Sequence, residues 1–299
     1  KMNYNIQNID LIEKKRIKSA IVNANNEVTL LSAKISSELN LIEPILIGDE
    51  QEIRKICTQI KWDLNEVKIV NTLEEKESSK IACQMASESK VGLLVKGHMH
   101  TDILMGEYIK SSYSLRNKGE KLSHIWFMTI PSRREPLIIT DGALNIKPSL
   151  QTKKMILKNV INFTNRIKNF EPYISVLSAT EEVLPQMESS VDAKDLMEWA
   201  LKEIDPSLKI MGPLAFDNSI SNHAAKMKGI DNQVAGNANI LLVPNIETGN
   251  SLVKMLVNFL DATAGGFVTG TNIPVVITSR SDSLDSRLSS ISNAVLSIQ

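Results

Sequence analysis

The stretch IEPILIGDEQEIRKICTQI, residues 42–60, decides the fold class. Its first half holds a short apolar run, 44–47, that ends at Gly48. Its second half, 50–60, sets Ile53, Ile56, Cys57 and Ile60 three, one and three positions apart. That spacing lines one face of a helix, whereas a run of four apolar residues beside a glycine reads as a buried strand. A strand followed at once by an amphipathic helix is the repeating unit of a parallel α/β sheet.

The same alternation extends in both directions. Candidate strands fall at 19–22, 44–47, 67–70, 92–95, 124–130, 137–140, 174–177, 209–212, 240–243 and 274–278. Candidate helices fall between them at 26–39, 50–60, 73–88, 101–110, 149–167, 193–203, 219–227, 249–260 and 284–296. The fold class is therefore α/β, with mainly parallel sheets and flanking helices. Residues 122–140 break the rhythm. Two strands there are joined by the charged turn 131–136, an antiparallel interruption suited to a junction between lobes.

Composition narrows the function classes. The 299 residues carry 34 Lys plus Arg against 34 Asp plus Glu. A balanced chain has no electrostatic footprint for nucleic acid or an anionic membrane surface. The longest apolar runs fall well short of the roughly 20 residues of a membrane helix, and the first residues lack the apolar core of a signal peptide. The two cysteines, Cys57 and Cys83, form neither a disulfide framework nor a zinc spacing and sit in helical patterns, so a reducing cytoplasm and a core role are expected. His98 and His100 share one face if extended, but no ligand cluster accompanies them and no metal is expected. Phosphate-binding P-loops, dinucleotide fingerprints, serine-hydrolase elbows and zincin motifs are missing.

In parallel α/β sheets ligands gather at the carboxyl ends of strands. The segments that follow the strands are Gly48-Asp49, Lys96-Gly97-His98, Asp141-Gly142, Ser178-Ala179-Thr180, 244–250 and 279–283. The last, Ser279-Arg280-Ser281-Asp282-Ser283, leads into a helix. Free N–H groups, hydroxyls and the fixed charge of Arg280 suit an anion there; the same residues read equally as a cap by Asp282 or Ser283 with a surface arginine. In 244–250, Glu247 and Thr248 precede Gly249, which lets a backbone approach a ligand, while Thr248 or Asn250 reads as the cap of a helix starting near Asn250. The glycine-rich piece 264–270, ending at Gly270, reads as a loop that admits a pantetheine or phosphate tail, or as a turn. Arg116 reads as a phosphate contact or a solvated charge.

Several segments in this order resemble the phosphate acetyl/butyryltransferase family, nearest its butyryl branch. They are Leu115-Arg116, Ser123-His124, the run TDGALN at 140–145, GPLAFD at 212–217, AAKMKGI at 224–230, PNIETGN at 244–250 and VITSR at 276–280. The resemblance spans nearly the whole chain. It implies a two-lobed fold like that of isocitrate and isopropylmalate dehydrogenases. Residues 1–135 with 280–299 would form one lobe and 136–279 the other, with the active-site cleft between them, in a homodimer or larger homo-oligomer.

The resemblance also implies the reaction: reversible transfer of a short acyl group, butyryl or similar or acetyl, between coenzyme A and inorganic phosphate. It would run by direct thiolate attack in a ternary complex, with acyl-CoA, phosphate and acyl phosphate as partners and no tightly bound cofactor. Ser279 and Arg280 would be catalytic, with Arg116, Asn245, Glu247, Thr248, Gly249, Asn250 and Gly270 binding substrate. The acetyl branch carries its base, an aspartate, seven residues beyond the serine, and that place is Ser286 here. Asp285 is the expected base and Asp282 the alternative. Two other classes stay open: a non-catalytic acyl-CoA or phosphate-binding relative, and a metal- and NAD-dependent decarboxylating dehydrogenase on the same fold.

Overall fold

A computed structural model of the chain describes residues 6, 8–12, 16–116, 119–279 and 282–298. The chain divides into two compact units, one made of residues 1–120 and 265–299, the other of 121–264. The sequence expectation set these boundaries at 135/136 and 279/280; in the structure the antiparallel pair belongs with the second unit.

In the first unit the order is β1 (Ile17–Val22), α1 (Glu27–Glu38), β2 (Ile42–Gly48), α2 (Glu50–Gln59), β3 (Lys68–Asn71), α3 (Glu75–Ser87), β4 (Leu93–Lys96) and α4 (Thr101–Tyr108). The second unit holds β5 (Ser123–Thr129), β6 (Leu137–Thr140), α5 (Leu150–Thr164), β7 (Ile174–Leu177), α6 (Glu188–Glu203), β8 (Ile210–Leu214), α7 (Phe216–Ile220), α8 (Asn222–Met227), β9 (Ile240–Leu242) and α9 (Ile246–Leu260). The chain returns to the first unit along β10 (Thr263–Thr269) and completes it with β11 (Val275–Val276) and α10 (Leu284–Ile298).

The sheet of the first unit runs β3-β2-β1-β4-β11-β10. Every pair from β3 to β11 is parallel, and β10 lies antiparallel to β11 through Val268 and Val275. The chain winds outward from β1 to β3, then crosses back to lay β4 on the other side of β1. That reversal leaves a crevice at the carboxyl ends of β1 and β4, the usual place for a ligand in such sheets. The second unit's sheet runs β5-β6-β9-β7-β8. Only the β5–β6 hairpin is antiparallel there, as the charged turn predicts.

Strands β4, β6 and β7 are buried at every residue, as the interior of a parallel sheet with covered faces requires. In the second unit, Leu137, Ile139, Leu177, Leu214, Leu241 and Val243 share a core with Val253 and Leu256 of α9. Burial pushes the Cys57 thiol up to about 11 and the Cys83 thiol up to about 12, so both stay protonated at neutral pH.

Two local expectations need correction. The glycine-rich piece ending at Gly270 is mostly strand, not loop. A Cβ on Gly265 would come within 2.6 Å of Asn293 Nδ2 and 3.0 Å of Ser289 Cβ, and Gly266 N–H donates to Ser290 Oγ at 2.9 Å. The small residues there let α10 lie close on the strand. Second, α9 starts at Ile246, not near Asn250, because Asn245 caps it and its Oδ1 accepts Thr248 N–H at 3.0 Å.

Candidate functional site

In the first unit the expected residues meet at the end of β11. Ser279 is exposed, three residues past the strand. Its N–H donates to Asp282 Oδ2 at 2.6 Å, and its carbonyl accepts Arg287 Nη2 at 2.6 Å. Arg287 Nη1 also donates to Thr278 Oγ1 at 2.9 Å. One buried guanidinium on α10 therefore pins the loop on both sides of the serine peptide. Ser283 Oγ accepts Ser286 N–H at 3.2 Å and caps α10, leaving Asp282 for the loop. Arg280, expected to be catalytic, lies outside the described residues.

The two candidate bases differ in setting. Asp285 stands second in α10, partly exposed. Asp282 is partly buried, and burial raises its pKa; Ser279 N–H and the charges of Arg287 and Lys96 pull the other way without cancelling the rise. A carboxylate that is reluctant to ionise, yet held beside a serine, is a better proton acceptor than an ordinary surface aspartate. Ser286 is buried within the first turn of α10.

The sequence reading named Lys96 only as part of a strand-end segment and did not single out Arg287. Lys96 ends β4 and is 5% exposed; its Nζ donates to the carbonyls of Met99 at 3.0 Å and Gly97 at 3.4 Å. Arg287 is likewise 5% exposed. The available signal was placement: Lys96 closes an apolar strand, and Arg287 lies on the buried face of a helix. Of the other expected residues in this unit, Arg116 is exposed and Gly270 takes a left-handed backbone with φ of 92° just past β10.

The second unit carries the 244–250 segment. Its carboxyl edge opens into a cavity of about 680 Å³, lined by Leu177, Met187, Phe216, Asn245, Thr248 and Leu252 among others. Asn245 and Thr248 are thus at the cavity and also form the cap of α9. Glu247 is exposed. Gly249 meets protein rather than open space: a Cβ there would come within 2.6 Å of Gly142 Cα and 2.9 Å of Val243 Cγ2. Asn250 Nδ2 donates to Gly142 O at 3.4 Å, so both residues fasten the Asp141-Gly142 loop onto α9. That loop is itself organised by the buried Asp141 carboxylate, which accepts Ala143 N–H at 3.0 Å and Leu144 N–H at 2.9 Å.

His124 is buried on β5 with its ring centroid 4.4 Å from that of Trp126, and burial drives its pKa down to about 3. It is neutral at physiological pH. His100 is engaged with Glu75 at 3.1 Å. Among the described residues no group of three or more His, Cys, Asp or Glu is placed to hold a metal ion, and no helix is long and apolar enough to cross a membrane.

A family model described as "Phosphate acetyl/butaryl transferase" matches residues 75–295. A phosphate acetyltransferase from Rickettsia felis is 36% identical over 275 residues, covering 92% of this chain and 78% of the relative. A probable phosphate butyryltransferase from Bacillus subtilis is 33% identical and covers 96% of both chains. Among solved structures, a branched-chain phosphotransacylase from Enterococcus faecalis V583 superposes with a TM-score of 0.78 at 29% identity, covering 94% of this chain and 99% of the other. The match takes in β4, the Asp141-Gly142 loop, the cap of α9 and the Ser279 loop alike, and the chain is a member of the phosphate acetyl/butyryl transferase family.

Proposed function

We propose that the protein transfers a short acyl group, butyryl or similar or acetyl, between coenzyme A and inorganic phosphate. The observation that carries this reading is the family match across 75–295, which includes the pinned Ser279 loop. In the acyl-CoA-forming direction the CoA thiol gives its proton to the Asp282 carboxylate, and the thiolate sulfur attacks the acyl phosphate carbonyl. The carbon–sulfur bond forms, the carbon–oxygen bond to phosphate breaks, and inorganic phosphate leaves. Ser279 would hydrogen-bond the reacting carbonyl, and Arg280 would supply charge to the phosphoryl group. Holding both substrates together makes the encounter effectively intramolecular, so no acyl-enzyme is needed. The apolar walls of the 680 Å³ cavity, Leu177, Met187, Phe216 and Leu252, suit an acyl chain or the pantetheine arm.

A cytoplasmic setting and a homo-oligomeric state belong to the same proposal. The thiol substrate needs a reducing compartment, and α9 leaves Met255, Phe259 and Leu260 exposed, with Phe259 at 81%. Arg116, Glu247 and Gly270 are proposed as outer contacts of the CoA phosphates and pantetheine. The test is turnover of butyryl-CoA with inorganic phosphate, following free thiol. Thiol and acyl phosphate should appear in equal amounts. Silence with both butyryl-CoA and acetyl-CoA overturns the reading and leaves the non-catalytic binding relative.

A further inference from the structure

The cavity of the second unit is walled by separate segments of chain: the end of β7, the start of α6, the junction of β8 with α7 and the junction of β9 with α9. The only charged side chain on that wall is Asp217, which is exposed. Among the described residues no lysine, arginine or histidine lines it, and Lys228, whose charge reaches Asp217, is paired with Glu181 at 2.8 Å. A phosphoryl group would meet a carboxylate there with no cation on the wall to hold it. Nor is the wall purely apolar: Ser178, Ser189, Asn245 and Thr248 interrupt it.

The cap of α9 fixes what those polar groups can still bond. Asn245 Oδ1 accepts Thr248 N–H at 3.0 Å and the Thr248 hydroxyl at 2.7 Å. Two donors on one atom decide which end of the amide is oxygen. Asn245 Nδ2, with its two hydrogens, is left without a partner among the described residues. Thr248 has spent its only hydroxyl hydrogen, so its Oγ1 can act only as an acceptor. Ser178 and Ser189 bond each other at 2.9 Å. The cavity therefore offers one donor and one acceptor side by side, on side chains that are partly exposed. An aliphatic chain uses neither, and a phosphoryl oxygen has no N–H to give. A chain of amide linkages separated by methylenes uses both and lays its methylenes on the apolar walls.

We infer that Asn245 and Thr248 are the recognition pair for the amide-linked arm of coenzyme A, with Asn245 Nδ2 donating to an amide carbonyl and Thr248 Oγ1 accepting an amide N–H. The inference rests on the acyltransferase reading for the identity of the amide-bearing ligand. The test separates recognition from capping. Asn245→Asp keeps a capping oxygen for Thr248, since aspartate caps as well as asparagine, and replaces the donor by an acceptor. Two neutral thioesters of equal length serve as probes: S-butyryl-N-acetylcysteamine, which carries an amide, and S-pentyl thiobutyrate, which does not. Neither carries a phosphate, so the charges of CoA do not enter. With inorganic phosphate as co-substrate and free thiol as the readout, wild type should prefer the amide-bearing thioester in kcat/KM. Asn245→Asp should cut that preference about tenfold, the scale of one hydrogen bond. Thr248→Val should cut it likewise, and Thr248→Ser should restore it. In parallel, pantetheine alone should raise the Tm of wild type and of Thr248→Ser but not of Asn245→Asp.

An amide preference that survives in Asn245→Asp overturns the inference, and so does a pantetheine-induced Tm shift that persists in it. A pair that only caps α9 would move Tm when changed and leave the ratio between the two thioesters alone, which is equally fatal. If Asn245→Asp does not fold, Thr248→Val carries the same comparison, because it keeps Asn245 and the main-chain N–H of the cap. The Tm arm needs no turnover. Turnover without amide preference in wild type would sink this subsite and leave the acyltransferase reading standing. Pantetheine binding that needs Asn245, in a protein that moves no acyl group, would do the reverse.

Discussion

The carboxylate of Asp282 accepts the main-chain N–H of Ser279 at 2.6 Å, which ties a titratable group to the peptide of the serine that the family motif singles out. Asp285 lies in the first turn of α10, partly exposed. Asp282→Asn should therefore lower kcat/KM by about 10²-fold, the usual scale for losing a general base, whereas Asp285→Asn should stay near wild type. The pH profile carries a second check. The base works only when ionised, so activity is present above its pKa and lost as pH falls through it. Burial sets that acid limb higher than for an ordinary carboxylate, and Asp282→Asn should abolish it. The reverse ranking of the two variants would move the base to Asp285.

Arg287 reaches Thr278, Ser279 and the Asp282 carbonyl from one buried position. Arg287→Ala strips those partners at once and should cost about 2–5 kcal/mol of stability, read by urea unfolding. Arg287→Lys keeps the charge but loses the planar fork, so its stability should fall between wild type and alanine. Activity should drop in both, more than the loss of folded protein explains, because the loop that carries Ser279 is no longer held. An alanine variant with unchanged stability would show that the buried guanidinium holds nothing.

Gly249 and Gly106 make opposite predictions for the same substitution. Gly249→Ala drives a methyl into Gly142 and Val243 and should destabilise by about 1–3 kcal/mol, as overpacking does. Gly106 sits inside α4 with nothing within 4 Å of a built Cβ. Gly106→Ala should stabilise by about 0.5–1 kcal/mol, because alanine is the better helix former. Equal effects in urea titrations would remove the packing reason for glycine in the PNIETGN segment.

Leu252 forms one wall of the second unit's cavity and follows Thr248 by one helical turn. Leu252→Phe should lower kcat/KM for butyryl-CoA relative to acetyl-CoA by about tenfold, since a pocket distinguishes chains by roughly that factor per methylene. An unaltered ratio would take the acyl chain out of this cavity.

Much of the fold could be read from the residues. Strands 137–140 and 174–177 coincide with β6 and β7, because an unbroken apolar run bounded by polar residues leaves little room for error. The piece 264–270 did not, because Gly265 and Gly266 look like chain breakers when α10 is not in view. Their reason is the helix pressed against them, a contact between residues far apart in sequence. The cap of α9 was placed too late for a related reason: Thr248 and Asn250 are also capping types, and only the backbone shows that Asn245 takes the role. Arg287 escaped because a lone charge in a sequence is most often solvated, and Lys96, though noted at a strand end, showed its burial only through the apolar run it closes.

The division of the chain bears on how the protein is born. Residues 121–264 are continuous in sequence, whereas the first unit needs β11 and α10 from beyond them. Until β11 emerges from the ribosome, one edge of β4 is an unpaired row of amides and carbonyls ending at Lys96. The growing chain must carry that open edge while the whole of the second unit is made, a long wait in which non-native pairing competes. The same order of synthesis ties the loop to its support: β11, the strand that heals the edge, is followed at once by the Ser279 loop, so that loop is made only after the strand beneath it.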